Sequence, residues 1–173
     1  MHLKMYFNNK EEFILYIDKL KLISCPYCNE IGTLILYGVY KDKGHRCMCN
    51  DRFQRKGCGR TFSFLWGDAI RNHTVKTHEL WTFLLKFISV NNISLALKTI
   101  VIPYTRRAVN HWLNKLKLCQ SIIRFNLLRI CSPPSVQAIN PLLQTILHLK
   151  ICFPEQCPVQ GYQIQFQKSI FEV

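Results

Sequence analysis

The stretch Ser24-Cys25-Pro26-Tyr27-Cys28-Asn29 carries two cysteines three positions apart around a tight turn, a spacing that aims both sulfurs at one tetrahedral metal ion. Such a site needs two more ligands. The next cysteines are Cys47, Cys49 and Cys58, in the runs Arg46-Cys47-Met48-Cys49-Asn50-Asp51 and Arg55-Lys56-Gly57-Cys58-Gly59-Arg60. Cys58 is well placed, because Gly59 after it allows the positive φ of a metal knuckle. Cys49 is the preferred third ligand, being nearer to Cys58 and next to the turn-forming Asn50-Asp51 pair. Strand alternation points Cys47 to the same face, so Cys47 or His45 remains the alternative. Soft thiolates in a four-cysteine arrangement suit one structural Zn2+, closed to water and without chemistry of its own.

Outward from these cysteines, the runs Thr33–Tyr40 and Arg60–Trp66 have strand composition, so residues 24–70 read as a small ribbon of short antiparallel β structure. Before it, within residues 1–23, Phe13, Ile14, Ile17 and Leu20 recur at helical spacing, and Asn8 or Asn9 can cap a helix over 9–22. After it, Thr77 can cap a helix whose apolar stripe is Leu80, Trp81, Leu84, Leu85, Phe87 and Ile88. A shorter helix follows over Ser94–Ile100, and Thr105 caps a third from Arg106 to about Leu118. Residues 77–131 thus form the outline of a helix-turn-helix unit, with the stripe of the third helix docked on the first two. The tail, 132–173, reads as a helix from Pro141 to Ile151 and a partly alternating run, Tyr162 to Gln167, suited to a strand. The expected fold class is α+β: a zinc ribbon, a helical unit and a short mixed tail.

Charge narrows the function. There are 23 Lys+Arg against 10 Asp+Glu in 173 residues, a net charge of +13, which favours a polyanionic partner, nucleic acid first. Lys41, Lys43, Arg46, Arg52, Arg55, Lys56 and Arg60 crowd the ribbon and can contact phosphates. Tyr37, Tyr40, Phe53, Phe62, Phe64 and Trp66 nearby read as the ribbon's core rather than a base-stacking platform. On the third helix, Arg106, Arg107, Asn110, Asn114 and Lys117 fall opposite Ala108, Val109, Trp112, Leu113 and Leu116, the division a recognition helix requires. Beyond Glu79 the only carboxylate side chains are Glu155 and Glu172, too few to hold two divalent metals for phosphoryl transfer. No run approaches the roughly 20 apolar residues of a membrane helix, so no membrane partner is expected. The start, Met1-His2-Leu3-Lys4, lacks signal-peptide features, and the expectation is a cytoplasmic protein. In that setting nine cysteines imply metal binding or free thiols rather than disulfides, with Cys119, Cys131, Cys152 and Cys157 acting as small hydrophobes.

In order, Cys25-Pro26-Tyr27-Cys28, Gly32 with a β run, Arg46-Cys47-Met48-Cys49 and Gly57-Cys58-Gly59-Arg60-Thr61-Phe62-Ser63 resemble the zinc ribbon at the N-terminal end of bacterial insertion-sequence transposases. That family shows Cys-Pro-x-Cys, a basic spacer, a cysteine closely preceded by a basic residue and a Cys-Gly-x-Thr-Phe ending. A helix-turn-helix that binds the element's terminal repeats follows. The resemblance spans about residues 24–118 and implies zinc on Cys25, Cys28, Cys49 and Cys58, with duplex DNA met by the third helix in a bacterial, nucleoid-associated protein. It departs downstream, where transposing members continue into a ribonuclease-H-like domain with an acidic triad that Glu155 and Glu172 cannot supply. The expectation is therefore non-catalytic recognition of mobile-element ends, with a catalytic transposase subunit acting in trans. Two readings compete: a ribbon that binds RNA or a protein, and a small zinc hydrolase. The hydrolase would need an open fourth metal position and has no His-Glu-x-x-His motif.

Overall fold

The computed structural model describes residues 3–52, 56–100, 102–135 and 140–172. The chain runs β1 (Tyr6–Phe7), α1 (Lys10–Ile17), β2 (Leu34–Val39), β3 (Gly44–Cys49), β4 (Thr61–Trp66), α2 (Thr77–Val90), α3 (Ile93–Thr99), α4 (Arg106–Leu127), α5 (Pro141–Cys152) and α6 (Pro158–Phe166). The protein is α+β, and it divides into two compact units, Met1–Arg71 and Asn72–Val173.

In the first unit the sheet order is β1-β4-β3-β2, antiparallel except for β1, which pairs parallel with β4. Register places Cys47 between Leu36 and Phe62, and Cys49 beside Leu34 at the strand end. Phe62, Phe64, Cys47 and Cys49 share a core with Phe7, Phe13, Tyr16, Leu20 and Ile23. Phe7 sits at its centre, edge-on to Phe13 at 5.2 Å, Tyr16 at 5.1 Å and Phe64 at 5.7 Å. Such pairs are worth about 0.5–1.5 kcal/mol each beyond the area they bury.

Helix α1 starts where Asn9 Oδ1 accepts the Glu12 N–H at 2.8 Å. The Glu12 carboxylate in turn accepts the Asn8 N–H at 2.8 Å and pairs with Lys4. The helix is shorter than the expected 9–22, with Leu20–Leu22 forming a separate 3-10 turn. Its inward stripe includes Tyr16 rather than Ile14, which is exposed. Residues 1–23 are accordingly no separate element, since α1 supplies the cover of the sheet. Among the expected core aromatics, Phe62 and Phe64 are buried while Tyr37 is exposed and Phe53 lies outside the described residues.

In the second unit, caps set the helix starts. The Lys76 N–H donates to the Glu79 carboxylate at 2.8 Å, which makes Lys76 the cap of α2 and Thr77 its buried first residue. Asn92, Thr105 and Asn140 cap α3, α4 and α5 through their side-chain oxygens. Helix α4 continues nine residues beyond the expected end near Leu118, and its inner face is Val109, Trp112, Leu113, Leu116, Cys119, Ile123 and Leu127. That face packs chiefly against α5, with α3 second, rather than on α2 and α3 as the sequence suggests. Helix α2 is covered instead by α3 and α6.

The tail is therefore part of this core. The alternating run from Tyr162 is helical, not a strand: Pro158 fits the first turn of α6, and Val159, Tyr162 and Gln163 are buried together. Gly161 lies so close to the Phe153 ring that an added Cβ would fall 2.5 Å from it. Cys131 and Cys152 are joined as a disulfide across a Cα–Cα distance of 6.0 Å, which replaces the expectation of two small hydrophobes. No described helix is long and apolar enough to cross a membrane.

Candidate metal centre

Two turns build the site. In the first, the Asn29 N–H reaches the Cys25 carbonyl and the Cys25 N–H the Glu30 carbonyl, both at 2.9 Å, and Asn29 takes φ 61°, a conformation asparagine tolerates. In the second, the Cys49 N–H donates to the Arg60 carbonyl at 2.9 Å and the Gly59 N–H returns to the Cys49 carbonyl at 3.0 Å. Gly59 has φ 71°, the positive value anticipated for the residue after the last cysteine. Gly57 is required by close approach, because a Cβ there would stand 2.1 Å from the Asn50 carbonyl oxygen.

These turns bring Cys25, Cys28, Cys49 and Cys58 together, all four sulfurs within 4.8 Å of one another. Cys28 Sγ lies 3.7 Å from Cys49 Sγ, and Cys25 Sγ 3.8 Å from Cys58 Sγ. A tetrahedron with metal–thiolate arms of about 2.3 Å has edges of about 3.8 Å, so the group has the size of a four-sulfur metal site. Cys58 is the most exposed of the four, while Cys25 and Cys49 are buried.

The sulfurs are not electrostatically alike. Burial opposes ionisation of Cys49, yet the Thr33 hydroxyl at 3.1 Å, the Cys58 N–H at 3.3 Å and the neighbouring Cys25 and Cys28 thiols outweigh it and draw Cys49 down to about 7. At Cys28 the Glu30 N–H favours the thiolate, but burial and the thiols of Cys49, Cys25 and Cys58 push the group up to about 12. Burial raises Cys25 as well. Cys49 is thus the sulfur whose surroundings hold it toward the thiolate near neutral pH. Thr33, which sequence reading missed, is the residue that prepares it; a lone threonine at a strand start carries no local signal of that role.

The choice between Cys47 and Cys49 falls to Cys49. Two strand positions separate them by about 7 Å, more than such a cluster spans. Cys47 pairs in register with Phe62 and shares the buried core with Phe62 and Phe64, where burial pushes its thiol up to about 12. His45 stacks on Phe13 at 4.8 Å and meets Trp66 edge-on at 5.8 Å, away from the sulfurs.

Around the ribbon, Arg46, Arg52, Lys56 and Arg60 are exposed, while Arg55 lies outside the described residues. The Arg46 guanidinium lies 5.4 Å from the Tyr40 ring centre and that of Arg60 5.1 Å from Tyr27, contacts that orient both cations without neutralising them. In the second unit Arg106, Arg107, Asn110, Asn114 and Lys117 are all exposed along α4, opposite its buried face. Lys115, at the margin, has its Nζ 3.4 Å from His73 Nε2. No protein-family model matches the chain, and neither a curated protein nor a solved structure matches it.

Proposed function

We propose that this protein is a non-catalytic, zinc-dependent DNA-binding protein related to transposases, which recognises the ends of a mobile element through its ribbon and through α4. The observation that carries the reading is the four-sulfur group of tetrahedral dimensions at the base of a ribbon whose exposed cations are Arg46, Arg52, Lys56 and Arg60. Four soft thiolates favour Zn2+, which has no geometric preference of its own and accepts the tetrahedron as built. Zinc would stabilise the two turns and supply no open coordination position, an argument against the hydrolase reading. Helix α4 supports the same conclusion, since Arg and Asn on one exposed stripe are the side chains that make paired contacts with guanine and adenine edges. A catalytic subunit acting in trans would carry out any strand transfer.

Fluorescence anisotropy tests the proposal, with the duplex flanking the gene compared against a scrambled duplex of equal length across a salt series. A preference for the flanking duplex that survives moderate salt supports it. Equal, steeply salt-dependent binding to both reduces the protein to a non-specific phosphate binder. Tighter binding to structured RNA than to either duplex refutes the DNA reading.

A further inference from the structure

The second unit holds another concentration of soft ligands. Cys131 follows α4, and His148 and Cys152 lie four residues apart on one face of α5. Both sulfurs and one ring nitrogen of His148 lie within 4.8 Å of one another. His148 is 1% exposed, and its Nε2 is 3.1 Å from the Cys131 carbonyl oxygen. A carbonyl only accepts, so Nε2 carries the hydrogen and Nδ1 keeps its lone pair. A buried imidazole whose one nitrogen donates to a backbone carbonyl is held as metal-binding histidines are held. The two sulfurs are joined in the structure, and a cavity of about 500 Å3 lined by Cys152, Phe153, Pro154, Glu155 and Gln156 gives a small reductant room beside one of them.

We propose that Cys131, His148 and Cys152 form a redox-gated site for a single divalent thiophilic cation of the Zn2+ type, closed as the disulfide and opened by a dithiol. On opening, two electrons and two protons pass from the dithiol to the bridge: the S–S bond breaks, Cys131 and Cys152 become thiols, and the reductant closes into its own disulfide. The cation then displaces both thiol protons to solvent and forms two bonds to sulfur and one to the imidazole nitrogen. Water takes the fourth position, so this ion exchanges more readily than one held by four thiolates. Because disulfide and metal complex use the same two sulfurs, they exclude one another.

Native mass spectrometry of the full chain with Zn2+ as the probe tests this. The protein is reduced with a dithiol, freed of it under anaerobic conditions and loaded. Reduced wild type is expected to hold one zinc more than protein with the Cys131–Cys152 bridge intact, and one more than reduced C131S/C152S. Reduced C28S/C58S is expected to lose the ribbon's ion and keep this one. His148→Gln should weaken the second ion by about tenfold or more in chelator competition. Serine is close in size to cysteine and both positions are partly exposed, so C131S/C152S remains informative should H148Q fail to fold. Equal zinc content in reduced wild type and C131S/C152S overturns the proposal, as does loss of all zinc in C28S/C58S.

Discussion

Replacing Cys49 or Cys47 by serine separates a member of the four-sulfur group from a core residue two positions away. Cys49→Ser removes one of four sulfurs and with it the acceptor of the Thr33 hydroxyl and the Cys58 N–H. Structural zinc sites contribute about 10–16 kcal/mol of apparent binding free energy, whereas a whole domain is stable by only about 5–15 kcal/mol. Losing a ligand should therefore release the ion and leave the first unit, Met1–Arg71, without most of its fixed tertiary structure. Cys47→Ser leaves the four sulfurs untouched and places a hydroxyl in the buried core beside Phe62, which costs about 1–3 kcal/mol. The assay is zinc stoichiometry by native mass spectrometry, with near-ultraviolet circular dichroism and a denaturant titration on the same samples. The expected outcome is no ribbon zinc in C49S, and full ribbon zinc with a lowered unfolding midpoint in C47S. Retention of that ion by C49S with its loss from C47S would refute the assignment of the third ligand.

Other outcomes follow from the same geometry. Cys49 is drawn from its ordinary value of 9.0 down to about 7, so its ionisation stabilises the metal-free fold above about pH 9 and that gain is lost as pH falls through about 7. Zinc affinity moves in the same direction, because every protonated thiol must release its proton on binding, and chelator competition should show at least a roughly tenfold loss per pH unit below neutrality. An affinity independent of pH between 6 and 8 would contradict thiolate ligation. Arg106→Ala and Asn110→Ala should each lose about 1–3 kcal/mol on the preferred duplex and little on a scrambled one, read by anisotropy. Lys56→Ala should weaken both duplexes alike and lower the salt slope by about one; identical behaviour of the two classes would abolish the division between base and phosphate contacts. Opening the Cys131–Cys152 bridge in metal-free protein frees a segment with sequence separation 21, and loop-closure entropy puts the loss at about 3 kcal/mol in the second unit. Calorimetry of metal-free C131S/C152S should then show a fall of about 10 °C or more, and an unchanged transition would mean the bridge does not constrain the unit.

Several features of the fold were legible because they are decided within a few residues. The caps at Asn9 and Thr105 are side chains reaching an N–H three positions on, and Pro141 occupies a first turn where no N–H is needed. The Cys25–Cys28 turn and the positive φ at Gly59 are local in the same sense. The Thr77 assignment missed by one residue for a local reason too: the Glu79 carboxylate reaches back to the Lys76 N–H, and that bond sets the start of α2.

What the sequence by itself determined is the α+β class, the ribbon followed by helices, and three of the four clustered cysteines, Cys25, Cys28 and Cys58. Only the tertiary structure decided that Cys49 joins them while Cys47 fills the core, that two residues at Tyr6–Phe7 extend the sheet, that α4 rests chiefly on α5, and that Cys131 meets Cys152. It also made the run from Tyr162 a helix, because burying Val159, Tyr162 and Gln163 with Gly161 against Phe153 requires a helical repeat. Caps and turns are short-range hydrogen bonds that a few residues specify. Which of two same-face cysteines reaches a metal, or which helix covers which, depends on apolar burial between segments far apart in the chain, and local spacing carries no record of that choice.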